Sequence, residues 1–177
     1  MVFLRMKQHH FQLSNFQLSN FPIMTTKLKA GDKAPDFRAM DQNGKTRSLA
    51  DYKGKKLALF FYPKDMTPGC TAEACNLRDN ISALKAAGIY PVGVSVDDEK
   101  SHKKFEEKHH LSFPLLADTE HKIVNDYGVW GLKKFMGKEY MGTLRTTFLI
   151  NEKGIIEHII DKVKTADHSG QILEIWQ

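Results

Sequence analysis

Cys70 and Cys75 are the only cysteines of the 177-residue chain, and both lie in one stretch, "FFYPKDMTPGCTAEAC", Phe60 to Cys75. Two thiols cannot build the disulfide framework of a small secreted domain. They fit redox work or a metal site, or they are incidental small hydrophobes. Cys70 falls in the first turn of an expected helix, where unpaired N–H groups and the helix dipole favour negative charge. A thiol so placed has a lowered pKa, and the thiolate is the nucleophile. At the reference pKa of about 8.5, only about 3% is thiolate at pH 7; a pKa of about 6 gives about 90%, a gain of roughly thirtyfold or about 2 kcal/mol. Even a modest enzyme supplies about 8 kcal/mol. If Cys70 is catalytic, other groups must stabilise the transition state.

The C-x4-C spacing differs from the C-x2-C of zinc sites and dithiol reductases. Five helical residues rise about 7.5 Å and turn about 500°, which sets the two side chains roughly 140° apart and their Cα atoms about 8–9 Å apart. A disulfide needs less than about 7 Å. The two thiols cannot bond while the helix is intact, so either they never pair or the first turns unwind when they do.

The elements that must position these thiols are legible as pattern. "KKLALFF", Lys55 to Phe61, is a continuous apolar run and reads as a strand buried on both faces. Pro63 and Pro68 exclude regular structure through the turn that follows. From about Gly69 the sequence reads as one helix, with Leu77, Ile81 and Leu84 on its apolar face and Gly88 as its stop. "IYPVGVSV", Ile89 to Val96, reads as a second buried strand. A polar helix opens at Asp97 or Asp98, with His102, His109 and His110 read as its solvated face. "FPLLAD" is a short extended segment, and "TEHKIVNDYG" a short helix ending at Gly128. "RTTFLI" and "IIEHII" flank "NEKG" as an antiparallel hairpin turning at Gly154, and "TADHSGQILEIW" reads as a final helix. Upstream, Asn43-Gly44 marks a hairpin turn. Tyr127, Trp130, Phe135 and Tyr140 read as packing residues, with an apolar collar near the pocket as the alternative. This order gives an α/β fold: a central mixed β-sheet flanked by helices, with an N-terminal β-hairpin. It sets the Pro63–Gly69 turn at the carboxyl end of a buried strand, where open α/β sheets carry their sites.

The length suits a single domain with its own core. The 41% apolar and 27% charged fractions are those of a globular chain. The formal net charge of +5 owes most to Arg5, Lys7, Lys27 and Lys29, since residues 1–30 hold no acid. The body is close to neutral, with no basic stripe of the kind that binds nucleic acid. Residues 1–23 contain "FQLSN" twice and are expected to be a disordered extension or a mis-assigned start, with the domain at 24–177. They lack the apolar run of a secretory signal, and nothing approaches the ~20 apolar residues of a membrane span. A reducing, cytoplasmic setting is expected from the cysteine usage.

"YPKDMTPGCTAEAC" closely resembles the active-site segment of peroxiredoxins, in particular the peroxiredoxin Q subgroup, also called bacterioferritin comigratory proteins. The shared pattern P-x-x-x-T-x-x-C is met by Pro63, Thr67 and Cys70. The resemblance extends through "YGVWGLKKFMGKEYMGTLRTTFLINEKG" and covers about residues 28–176. It implies a thioredoxin-like fold and reduction of hydrogen peroxide and organic hydroperoxides to water and alcohols. Cys70 would be the peroxidatic thiolate that becomes a sulfenic acid, and Cys75 the resolving thiol that closes an intramolecular disulfide. Thioredoxin or a similar dithiol would regenerate both. No metal or organic cofactor is implied, and a monomer is expected.

Within that resemblance, Arg145 would stabilise the thiolate and the charge that develops on the leaving oxygen. Thr67 would accept a peroxide proton while donating to the thiolate or substrate. The N–H groups of Gly69 and Cys70 point the same way, Pro63 would shield the sulfur from water, and Glu73 would orient Arg145. Each has a plainer reading: Pro63 ends a strand, Thr67 caps the helix, Arg145 is a solvated charge, Glu73 answers the helix dipole, and Cys75 is a buried helix residue. The rival functions are a non-enzymatic redox sensor or holdase and a thioredoxin-fold protein holding metal through the two cysteines and a histidine.

Overall fold

The computed structural model describes residues 26–176, so the expectation for residues 1–23 lies outside the described residues. Among the described residues the first element is the expected hairpin, β1 (Arg38–Met40) against β2 (Thr46–Ser48), paired antiparallel. Asp41 holds its turn, with Oδ1 accepting from the N–H groups of Asn43 and Lys45. Gly44 takes the positive φ of 72° that the turn demands.

Five strands form the central sheet, in the order β5-β4-β3-β8-β9. β3 (Lys56–Phe61), β4 (Ile89–Ser95) and β5 (Leu115–Ala117) run parallel; β8 (Thr146–Ile150) and β9 (Ile156–Ile160) complete the sheet antiparallel. β3 is central and buried on both faces. Leu57, Leu59 and Phe61 enter one apolar cluster, while Ala58, Phe60 and the following Tyr62 enter the other. That period of two divides the core into two layers. On the first face lie α4 (Lys122–Asp126) and Tyr127; on the second lie α1 (Pro68–Asp79), α2 (Ile81–Ala86), α3 (Glu99–His109) and α5 (His168–Ile175). The second face is tight enough to demand glycine in β4: a Cβ at Gly93 would meet Leu115 and Phe60 carbons at 2.8 Å.

Three sequence expectations require correction. The helix expected from Gly69 to Gly88 is two helices, broken at Asn80, whose φ of −108° and ψ of 16° are not helical. The Asn80 side chain donates to the Asn76 carbonyl and competes with the backbone ladder. His102 does not face solvent: it is fully buried on the same helical face as Phe105. Phe135 and Tyr140 are not packing residues, being 66% and 46% exposed. They belong to a hairpin, β6 (Trp130–Phe135) and β7 (Lys138–Thr143), that forms its own two-stranded sheet. Tyr127, by contrast, is buried. The described residues contain no helix long and apolar enough to cross a membrane.

Candidate active site

The turn after β3 and the first turn of α1 meet at the carboxyl end of the parallel strands, as the pattern predicts. Thr67 occupies the N-cap position with extended backbone, and Pro68 opens the helix. Pro suits that position because its missing N–H has no helical partner there. The Thr67 hydroxyl does not cap: it donates to the Lys64 carbonyl at 2.8 Å. Its proton is thereby committed, and its lone pairs are left to accept from a visiting group. Pro63 is half-buried at the end of β3. Met66, between them, holds a left-handed φ of 64°, a strained backbone for a side chain of that size.

Cys70 is the third residue of α1 and only 2% exposed. Arg145, in the link between β7 and β8, donates from Nη2 to the Cys70 sulfur at 3.3 Å. Its Nη1 donates to Glu73 Oε2. One guanidinium thus bridges a sulfur and a carboxylate that are three residues apart on α1. Gly69 makes room for it, since a Cβ there would lie 3.2 Å from Arg145 Nη2. Burial pushes the Glu73 carboxyl up to about 7, although Arg145 pulls the other way. Glu73 Oε1 is buried and has no hydrogen-bond partner among the described residues.

Cys75 lies in the same unbroken helix, half-buried, and both thiols are free. Its sulfur is 3.9 Å from His109 Nδ1, while Arg78 donates to the His109 carbonyl. The structure therefore brings together Cys70, Arg145, Glu73 and Gly69, sets Thr67 and Pro63 in the preceding turn, and leaves Cys75 on separate partners.

Three groups at the site escaped sequence reasoning. Lys133 of β6 donates to the Thr143 carbonyl and lines a cleft together with Arg145, and burial holds its ammonium below the usual lysine range. The cleft, of about 710 Å³, is lined in part by Leu28, Val129, Lys133, Leu144 and Arg145 and not by Cys70 itself. His102 and Asp65 form the second group. Asp65 Oδ2 accepts from Ser101 and faces His102 Nδ1 at 2.8 Å, and Oδ1 accepts from Tyr62. His102 Nε2 reaches the Leu116 carbonyl, and the Asp65 N–H donates to Asp97. This network pins the Pro63–Thr67 turn to α3, β4 and β5. The spacing of His102, Phe105 and His109 along one helical face was the available signal. The third is His168, fully buried at the start of α5, with Nε2 3.7 Å from Glu73 Oε1. Among the described residues, no group of three or more His, Cys, Asp or Glu side chains could hold a metal ion.

Residues 30–159 match the AhpC/TSA family. The chain is 48% identical over 146 residues to peroxiredoxin Bcp of Escherichia coli K12, a span covering 82% of this chain and 94% of that one. Against peroxiredoxin Bcp of Bacillus subtilis it is 48% identical over 147 residues, 83% of this chain and 94% of that one. Its fold superposes on the bacterioferritin comigratory protein of Xanthomonas campestris, a structure described for its alkyl peroxide reduction activity. The TM-score is 0.77 at 32% identity, covering 84% and 97% of the two chains.

Proposed function

The chain belongs to the AhpC/TSA family and is a thiol peroxidase with a thioredoxin-like fold, and we propose that Cys70 is its peroxidatic nucleophile and Cys75 its resolving thiol. The observation that carries this reading is the Arg145 guanidinium, which donates to the Cys70 sulfur at the first turn of α1. The Cys70 thiolate attacks the terminal oxygen of the hydroperoxide, the O–O bond breaks, and the sulfur becomes a sulfenic acid. The departing oxygen carries the displaced electron pair, takes a proton and leaves as water or alcohol. Arg145 stabilises the thiolate before attack and the charge on that oxygen during it. Thr67 accepts from the peroxide O–H, Gly69 keeps the space above the helix open for Arg145, Pro63 screens the sulfur from water, and Glu73 orients the guanidinium.

Resolution requires α1 to open. The Cys75 thiolate attacks the sulfenic sulfur, the S–S bond forms, and hydroxide leaves as water. Helical spacing holds the two Cα atoms beyond the reach of a disulfide. Opening can stop before Asn76, because Asn76 is tied to α5: it donates to the Ala166 carbonyl and accepts from the Ser169 N–H. The break at Asn80 further separates α1 from α2. A thiol reductant then restores both cysteines, and we assign that role to thioredoxin acting on a cytoplasmic monomer.

A coupled assay with thioredoxin, its reductase and NADPH tests the assignment. Cys70→Ser abolishes peroxide consumption, because a hydroxyl supplies almost no anion at neutral pH. Cys75→Ser gives one rapid reduction of peroxide per chain and no regeneration by thioredoxin. Steady turnover by Cys70→Ser refutes the nucleophile; full turnover by Cys75→Ser moves resolution elsewhere. Light scattering of the eluting protein reads its oligomeric state.

A further inference from the structure

Glu73 Oε1 is a buried acceptor with no donor among the described residues, and the side chain facing it is itself an acceptor. The chemistry of His168 follows from its partners. Gln171 Oε1 accepts from the Lys164 N–H, which identifies that atom as the oxygen, and it lies 3.0 Å from His168 Nδ1. Nδ1 therefore carries the ring proton and donates it. In the neutral ring, Nε2 is then a lone pair. It takes the Thr147 hydroxyl proton at 2.8 Å and faces Glu73 Oε1 at 3.7 Å. Two lone pairs oppose one another between buried side chains, an arrangement one added proton would turn into a hydrogen bond.

We propose that Glu73 and His168 together store one proton, and that His168 is thereby a positioning residue which keeps the Cys70–Arg145–Glu73 cluster neutral through peroxide reduction. The inference rests on Cys70 being the peroxidatic thiolate. With that thiolate present, two anions, Cys70 and Glu73, are hydrogen-bonded to one cation, the Arg145 guanidinium. One proton on the Glu73–His168 pair brings the net charge to zero. Once Cys70 is a neutral sulfenic acid, Arg145 and an ionised Glu73 balance without it. The reaction closes on the same terms: thiolate, hydroperoxide and the stored proton yield sulfenic acid, alcohol and the unprotonated pair. The proton lost by the pair equals the one gained by the departing alkoxide.

The surroundings agree with this. Burial lifts the Glu73 carboxyl to about 7, so the site is half-loaded at neutral pH. Burial holds the His168 ring down to about 4, so the proton resides on the carboxyl and the ring serves as its acceptor. The charged groups facing the pair are Arg145 from the β7–β8 link and, beyond it, Cys70 on α1; Lys133 on β6 adds positive charge near both. Thr147 and Gln171 supply the neutral contacts. Asn76 on α1 fixes the start of α5 against Glu73 through Ala166 and Ser169.

The experiment counts protons. Cys75→Ser chains, which stop at the sulfenic acid, are oxidised with stoichiometric hydrogen peroxide in weakly buffered solution containing an indicator dye. With His168 present, uptake from the medium per oxidised sulfur is well below one proton at the lowest pH at which the rate profiles of both chains have reached their plateau and the thiol is ionised in each. With His168→Gln, whose amide can donate permanently to Glu73 Oε1 but does not titrate, uptake rises toward about one proton, and the pH profile of the oxidation rate moves up by about one unit. Equal proton counts in folded chains overturn the inference, as does a slower rate with an unmoved profile, which marks a merely structural histidine. Should His168→Gln not fold, nitrogen NMR of the His168 ring decides: a shift of Nε2 between wild type and Cys70→Ser supports the coupling, and its absence overturns it. Peroxide turnover by Cys70→Ser would remove the reading beneath the inference as well. Equal proton counts with an inert Cys70→Ser remove the inference alone.

Discussion

Two buried polar clusters flank the Pro63–Thr67 turn and the start of α1, and they are built differently. In the cluster around Asp65, both carboxylate oxygens receive donors and both His102 nitrogens reach acceptors. In the cluster around Glu73, one oxygen is bonded to Arg145 and the other has no donor among the described residues. A fully satisfied network specifies one geometry and resists change. A network with an open acceptor sacrifices stability and can respond to a proton or to a change of charge nearby. The first cluster holds the Pro63–Thr67 turn still, and the second touches the sulfur. Rigidity and responsiveness are thus assigned to separate residues within a few turns of chain.

Substitutions in the two clusters should therefore fail in different ways. Arg145→Ala should slow peroxide attack by about 10²–10³-fold, the usual loss when a donor to a developing oxyanion is removed. Stopped-flow oxidation measures it. A loss of only about thirtyfold would confine Arg145 to setting the thiolate population. His102→Ala should do the reverse, lowering the unfolding free energy by about 3 kcal/mol because it removes a fully buried ring, one partner of the Asp65 carboxylate and the partner of the Leu116 carbonyl. The folded fraction should still react within about tenfold of the wild-type rate. Urea unfolding beside stopped-flow separates the two outcomes, and a large rate loss at unchanged stability would erase the contrast.

A third comparison uses pH alone. The folded Glu73 carboxyl is raised from its ordinary 4.5 to about 7 by burial, so its protonated form is the stabilised one. That contribution is complete below the unfolded value and is lost as pH rises through 7. His168 is lowered from 6.5 to about 4, chiefly by burial, so its contribution is present above 6.5 and is lost as pH falls through 4. Between pH 6.5 and 8 only Glu73 of this pair acts, and stability should fall by roughly 1 kcal/mol as pH rises. Denaturant unfolding at the two pH values checks this, and Glu73→Gln should flatten the slope.

The sequence made half of this contrast legible. Cys70, Thr67, Pro63 and Arg145 were readable because a local motif and a strand carry them. The strands were readable because β3 and β4 are buried on both faces and their apolar runs are continuous. The polar partners were not. Glu73 reads from the sequence as an acid that answers the helix dipole, whereas it is the sixth residue of α1, beyond the first turn. His168 meets it only because Asn76 draws α5 onto α1, a contact between residues far apart in sequence. His102 reads as solvent-facing because its neighbours are lysines and glutamates, although Phe105 three positions on marks the buried side. The β6–β7 hairpin gave no clear alternation, since its tip exposes Phe135 and Met136, and its turn at Met136-Gly137 lacks the usual Asn-Gly signal.

The smallest expected effect tests the contrast at its narrowest point. Gly69 is in α1, and glycine in a helix is less stable than alanine by about 0.5–1 kcal/mol in an interior position and less near an end. Nothing but Arg145 stands near the missing Cβ, with Nη2 at 3.2 Å and Cζ at 4.0 Å. A Cβ there requires the guanidinium to move by a few tenths of an ångström. Gly69→Ala should therefore raise the melting temperature slightly while lowering the peroxide oxidation rate about threefold to fivefold, under 1 kcal/mol of barrier. Stability and rate would then move in opposite directions at one atom. If both rise, Arg145 has slack where it meets Cys70, and the bridge between sulfur and carboxylate is looser than its hydrogen bonds imply. If both fall, the backbone at the helix start needs glycine for its own conformation, and the close approach of Arg145 is incidental to it.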